Sequence, residues 1–136
     1  LTKEFSRGPV TRRLTVTLLT FGYKFGVPYD IDLLFDVRFL KNPFFVPDLK
    51  PLPGDDPRVR AYVLSDPDAV DLLAELERLL KFLIPLYERE QRSYLTIAIG
   101  CTGGRHRSVA IAGRLRESLG AIGHEVVLKH RDLQKS

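Results

Sequence analysis

Gly100-Cys101-Thr102-Gly103-Gly104-Arg105-His106-Arg107-Ser108 gathers the residue types that hold a phosphate group. It follows Tyr94-Leu-Thr-Ile-Ala-Ile99, the strongest strand signal in the chain, and precedes a helical stretch from Ser108 to Leu119. A tight turn between a buried strand and a helix start points several unpaired backbone N–H groups into one small bowl. The helix end adds a partial positive charge. Glycines let the backbone bend and approach a ligand closely. Arg105, His106 and Arg107 add up to three cationic donors, and an Arg fork grips two phosphate oxygens at once. The stretch reads as a phosphate-binding loop; the plainer reading is a glycine turn with solvated arginines.

The loop is not a Walker A motif. That motif requires Gly, four residues and then Gly-Lys-Ser/Thr, and Arg105 stands where the second Gly belongs. A different match exists. Cys101, Gly104, Arg107 and Ser108 reproduce the Cys-x-x-Gly-x-x-Arg-Ser spacing of tyrosine phosphatase loops, in which a thiolate attacks phosphorus and the Arg holds the equatorial oxygens. The alternative function is therefore a cysteine-dependent phosphatase with Cys101 as nucleophile and Asp36 as general acid. Gly100 occupies the position that usually carries His in such loops, which favours a binding module over an enzyme.

The elements that must position this loop are legible in outline. Leu14-Thr-Val-Thr-Leu-Leu-Thr20 alternates as a strand, and Leu33-Leu-Phe-Asp-Val37 reads as a second, buried one. Between them, Phe21-Gly-Tyr-Lys-Phe-Gly-Val-Pro28 is a Gly-punctuated loop whose aromatics plug the edge of the core. Five prolines in residues 41–57 predict a long surface loop. Ser65 or Asp66 caps a helix with Pro67 in its first turn. Val70, Leu73, Leu76, Leu80 and Leu83 form its apolar stripe to about residue 90, and Pro85 kinks it or ends it early. The Ser108–Leu119 helix closes at Gly120 or Gly123, and Glu125-Val-Val-Leu-Lys129 is a last short strand. Strand, Gly-rich turn, helix and strand make a parallel βαβ unit. The expected class is α/β, a small sheet with the phosphate-binding loop between strand and helix, and ligands beyond the carboxyl ends of the strands.

Composition narrows the partners. The 136 residues are 44% hydrophobic and 28% charged, ordinary for one soluble domain. One Cys excludes a disulfide framework or a Cys-rich zinc site, so no metal is expected, and it fits a reducing, cytoplasmic compartment. No apolar run suits a membrane span or a signal peptide, so no membrane partner is expected. The chain begins at Leu1, and the expectation is a piece cut from a longer protein. Residues 1–12 read as an arm or linker remnant and 13–136 as the domain. Of the net charge of +4, residues 1–24 carry +4, residues 101–136 carry +4 and the middle −4. Basic ends around an acidic middle suit an anionic partner, although solvated surface charge gives the same pattern. Aromatics are not interleaved with the basic groups at the C-terminus, so base stacking is not signalled there.

Four segments in order, Phe21–Pro28, Phe35-Asp-Val-Arg-Phe-Leu-Lys-Asn-Pro43, Tyr94–Val109 and Lys129-His-Arg-Asp-Leu-Gln-Lys135, resemble the C-terminal domain of the RapZ/YvcJ family of nucleotide-binding regulators. Arg105 stands where that family often has Lys, and the basic tail is shorter than in the RapZ branch. The resemblance implies a regulatory domain that binds glucosamine-6-phosphate or another phosphate anion, with small RNA and an endoribonuclease as further partners. It implies a homo-oligomeric full-length protein. ATP or GTP would belong only to an N-terminal P-loop domain, leaving no cofactor for this chain. The implied sugar-phosphate pocket comprises Asp36, Cys101, Thr102, Gly103, Gly104, Arg105, His106, Arg107 and Ser108. Loop amides, Thr102, Arg107 and Ser108 would take the phosphate, and Asp36 the sugar's ammonium or hydroxyls, unless it only pairs with Arg38. RNA contacts would fall to Lys24, Lys129, His130, Arg131 and Lys135, extended by Arg12 and Arg13.

Overall fold

Alternation of threonine with Val16, Leu18 and their neighbours builds the central strand of the sheet in a computed structural model, which describes residues 13–135. Strand β1 (Thr15–Gly22) lies between β3 (Tyr94–Cys101) and β4 (Glu125–His130), and β2 (Leu33–Asp36) flanks β3. The order is β2-β3-β1-β4 and every pairing is parallel. All four strands therefore end on one edge, at Gly22, Asp36, Cys101 and His130. The expected α/β class holds. The segment 1–12 lies outside the described residues.

Helix α3 (Arg107–Ala121) links β3 to β4, as the strand–turn–helix–strand pattern requires. Its strands are not neighbours, however, because β1 inserts between them and pairs with both. Gly123, with φ of +98°, turns the chain just beyond the helix end, while Gly120 stays inside it. Ile111, Leu115 and Leu119 from α3 pack with Val16, Leu18, Leu95, Ile97 and Ile99 into one core.

The long helix appears as α2 (Pro67–Arg89), preceded by α1 (Pro57–Leu64). The proline count of residues 41–57 hides α1. Pro57 is its first residue rather than a breaker, because a missing N–H costs nothing at that position, and Asp56 caps the helix by accepting from the Arg58 amide. The Asp66 carboxylate caps α2 by accepting from Asp68, and accepts the Lys41 amide as well. Ser65 instead ends α1. The stripe of α2 is rotated from the expected one: Ala69, Leu73, Leu76, Leu80 and Ile84 are buried, whereas Val70 is 57% exposed and Leu83 half-buried. Pro85 does not end the helix early. It sits on the exposed face, where a carbonyl that a proline ring leaves without its helical donor is open to solvent rather than sealed in the core.

Two further expectations change. Strand β2 is half-buried rather than buried: it is an edge strand, with Leu33 and Phe35 packed on the core and Leu34 facing outward. The Phe21–Pro28 loop starts later than its sequence suggests, since Phe21 and Gly22 still pair in β1. Phe21 is fully buried, and a single 3-10 turn over Tyr23–Phe25 follows. Among the described residues, no helix is long and apolar enough to cross a membrane.

Candidate anion-binding site

The carboxyl edge of β1 and β3 opens into a cleft of about 940 Å³. Its floor is the five-residue connection between Cys101 and Arg107, and the turn is held from two sides. The Lys24 amide donates to the Thr102 carbonyl (3.2 Å) and the Gly54 amide to the Arg105 carbonyl (2.7 Å). Glycine is obligatory at the crossing with β1. A Cβ on Gly22 would lie 2.4 Å from the Gly103 carbonyl carbon, and Gly104 has φ of +75° with Gly22 N 2.5 Å from its would-be Cβ. Gly103, by contrast, faces open space. Gly22→Ala should therefore cost about 2 kcal/mol by overpacking, and Gly103→Ala well under 1 kcal/mol, in denaturant melts. Equal losses in the two variants would contradict this packing.

Arg107 is the organising side chain. It is 5% exposed at the first turn of α3, and burial lowers its pKa from the usual value without discharging it. Nη1 donates to the carbonyls of Arg38 and Leu40, and Nη2 to the Thr102 hydroxyl (3.3 Å). Nε is buried with no hydrogen-bond partner. A buried guanidinium N–H left unpaired is costly, so the site holds this side chain against a local penalty. Behind it, Cys101 Sγ lies 3.2 Å from Ser108 Oγ, and both residues are buried.

The other loop cations are structural. Arg105 spans the cleft wall, donating to the carbonyls of Pro51 (2.8 Å) and Leu133 (3.2 Å). His106 Nε2 donates to the Leu52 carbonyl (2.8 Å), and burial lowers its pKa, so the ring is neutral at pH 7. Both pin the proline-rich segment and the C-terminal segment against the loop.

Asp36 ends β2 in register with Gly100, which brings it beside the loop. Its carboxylate accepts the Arg38 amide (2.9 Å) and the Arg38 guanidinium (3.0 Å at Nε, 2.7 Å at Nη2). That pairing holds its carboxyl below the ordinary range, with a smaller contribution from the charge of Arg107. A carboxyl kept ionised this way has no proton to give as a general acid at neutral pH. Arg38, stacked 3.8 Å over the Tyr23 ring, lines the cleft; Asp36 sets its position from behind.

The basic C-terminal end divides. Lys135 and Lys24 line the cleft, each with its ammonium 5.1 Å from the Phe25 ring centre. Arg131 is bound to Asp132 and to the Gly26 carbonyl. His130 Nδ1 is 2.8 Å from the Thr20 hydroxyl, and Lys129 is exposed on the edge strand β4. Arg13 does not extend this surface: it precedes β1 at the far end of the strand and donates to the Gly123 carbonyl. Arg12 lies outside the described residues. Asp132, which lies in the Lys129–Lys135 segment but is not among the expected site residues, is fully buried and accepts from the Gly22 amide (2.7 Å), Arg131 and Lys135. Burial alone would raise its pKa, but these partners prevail and hold it at about 2.

Leu40, Asn42, Phe44, Phe45, Lys50 and Pro51 complete the cleft walls, all but Leu40 from the segment that its prolines mark only as a loop. Among the described residues the lining holds Lys24, Arg38, Lys50, Arg105, Arg107 and Lys135 and no carboxylate, so the cleft carries a strongly positive potential.

Residues 14–134 match the family described as the RapZ C-terminal domain. A nucleotide-binding protein of Geobacter metallireducens is 55% identical over 124 residues, covering 91% of this chain and 44% of the relative. One from an Anaeromyxobacter species is 56% identical over 135 residues (99% and 46%), and one from Geotalea daltonii 52% over 124 residues (91% and 44%). The chain thus spans less than half the length of these curated relatives. With an all-parallel sheet whose loop motif, β2 end and basic terminus meet at one cleft, and a family match over nearly its whole length, the chain belongs to the RapZ C-terminal domain family.

Proposed function

We propose that this domain is a regulatory binding module for a phosphorylated amino sugar of the glucosamine-6-phosphate type. The observation that carries the proposal is the gathering of six cationic side chains, Arg107 at the floor among them, around one cleft with no acid among its described lining residues. The phosphate occupies the bowl of loop amides at 102–106, where the start of α3, Arg107 and the Thr102 hydroxyl converge. The sugar extends toward Arg38, and Asp36, the partner of Arg38, is the carboxylate for the ammonium group in this reading. Cys101 lines the floor as a small buried residue and does no chemistry. Cys101→Ser should therefore change ligand affinity by less than about threefold, since it touches the ligand through neither charge nor a strong hydrogen bond. Turnover of an aryl phosphate that vanished in that variant would instead establish the phosphatase.

Small RNA is the second partner in this reading, held at its phosphates by Lys24, Lys129 and Lys135, whose ammonium groups reach solvent. Such contacts weaken steeply with salt, and a shallow salt dependence would argue against them. In the whole protein, the domain acts as part of an RNase adapter, with nucleotide bound in the half of the relatives' length outside this chain.

Calorimetric titration of glucosamine-6-phosphate, with inorganic phosphate and glucosamine as controls, tests the proposal. Binding at least tenfold tighter than either control is expected from a pocket that reads both parts. Equal binding of plain phosphate would leave only a generic anion loop.

A further inference from the structure

The cleft is larger and more aromatic than a phosphate and one sugar ring require. At about 940 Å³ it is near the top of the roughly 300–1,000 Å³ usual for small-molecule pockets. Beyond the cationic floor, its wall presents Phe44 and Phe45, 49% and 78% exposed, with their rings edge to face at 5.5 Å. Exposed phenylalanines on a cleft wall are costly unless something covers them. Lys50 holds its ammonium 4.3 Å above the Phe44 ring, so a cation already borders that aromatic surface. Phe44, Phe45 and Lys50 thus meet Lys24 and Lys135, from distant parts of the chain, around one cleft.

We infer that this wall is a base-stacking subsite, and that the cleft accepts a nucleotide, either free or as the terminal residue of an RNA strand. The inference rests on the proposed phosphate site at the loop. The 5′-phosphate sits on the floor by Arg107, the ribose passes Leu40 and Asn42, and the base lies against Phe45. Bases stack on aromatic side chains largely irrespective of sequence, because every base has a π-face, and nearby cations strengthen the contact. The sugar phosphate and the terminal nucleotide therefore share one bowl, and each excludes the other.

Calorimetry with adenosine 5′-monophosphate and ribose 5-phosphate on the wild-type domain and on Phe45→Ala isolates the stacking. Phe45 is largely exposed, so the variant keeps the fold, and Phe44→Ala provides a second probe. The expected result is roughly tenfold tighter binding of the mononucleotide than of ribose 5-phosphate, falling to threefold or less in Phe45→Ala, with ribose 5-phosphate unchanged. Equal affinity of the two ligands for the wild type would overturn the stacking subsite while leaving the phosphate site intact. Failure of both to bind would overturn the phosphate site as well. A 5′-phosphorylated RNA pentamer distinguishes the sources: tighter binding than the mononucleotide assigns the subsite to an RNA end, and equal binding to a free nucleotide.

Discussion

Replacing Arg107 with alanine should lower the affinity for a phosphate ligand by about 30- to 100-fold, equivalent to about 2–3 kcal/mol for a charge-assisted donor in a partly desolvated site. Two effects combine. The ligand loses the guanidinium charge at the cleft floor, and the carbonyls of Arg38 and Leu40 lose the donor that aims the segment after β2 toward the loop. Lysine should not rescue the variant, because a point charge cannot span both carbonyls, the Thr102 hydroxyl and a ligand. Arg105→Ala should behave differently. That guanidinium is spent on the Pro51 and Leu133 carbonyls, so the variant should lose stability more than intrinsic affinity. Titration of the two variants against the same ligand separates these roles, and an unchanged dissociation constant in Arg107→Ala would remove Arg107 from the site.

The second large effect belongs to Asp132. Its folded-state pKa of about 2 lies below the ordinary 3.8, so its stabilisation is present above about pH 4 and is lost as pH falls toward 2. The difference corresponds to about 2.5 kcal/mol. Asp132→Asn should lower stability at pH 7 by about 3 kcal/mol, since a buried carboxylate with three partners is replaced by a group that cannot neutralise Arg131 and Lys135. The acid limb of the stability curve between pH 4 and 2 should flatten in the same variant. Chemical denaturation across that range is the check, and an unchanged acid limb would mean that other carboxylates govern it. The effect reaches the cleft, because Asp132 fixes both Lys135 on its rim and the Gly22 amide at the loop crossing.

What was readable in the sequence follows from how local the signals are. The strand–glycine–arginine–helix run of residues 94–119 carries its own instructions, so β3, the turn and α3 lie where the pattern places them. The burial phase of α2 was not readable, because Val70 and Ala69 are both acceptable on an apolar stripe and only tertiary packing in the core selects Ala69. Helix α1 was masked because Pro57 signals a breaker or a first turn with equal force. The insertion of β1 between β3 and β4 is a long-range pairing with no local signature. At the site, a motif could nominate Arg105, His106 and Arg107 alike. Only the fold shows that Arg105 and His106 tie the loop to neighbouring carbonyls, while Arg107 is buried at the cleft floor between the Arg38 and Leu40 carbonyls and the Thr102 hydroxyl. The aromatic wall was invisible for the same reason, since Phe44 and Phe45 lie more than fifty residues from the loop they face.

The most direct test is a ¹H–¹⁵N NMR titration of the domain with glucosamine-6-phosphate, followed at the backbone amides of residues 101–108 and at the Arg107 Nε–H. Saturable shifts confined to those signals and the cleft walls are the expected result. Shifts centred on Lys129 and the β4 edge, with the Arg107 Nε–H unmoved, would contradict a phosphate site at the loop.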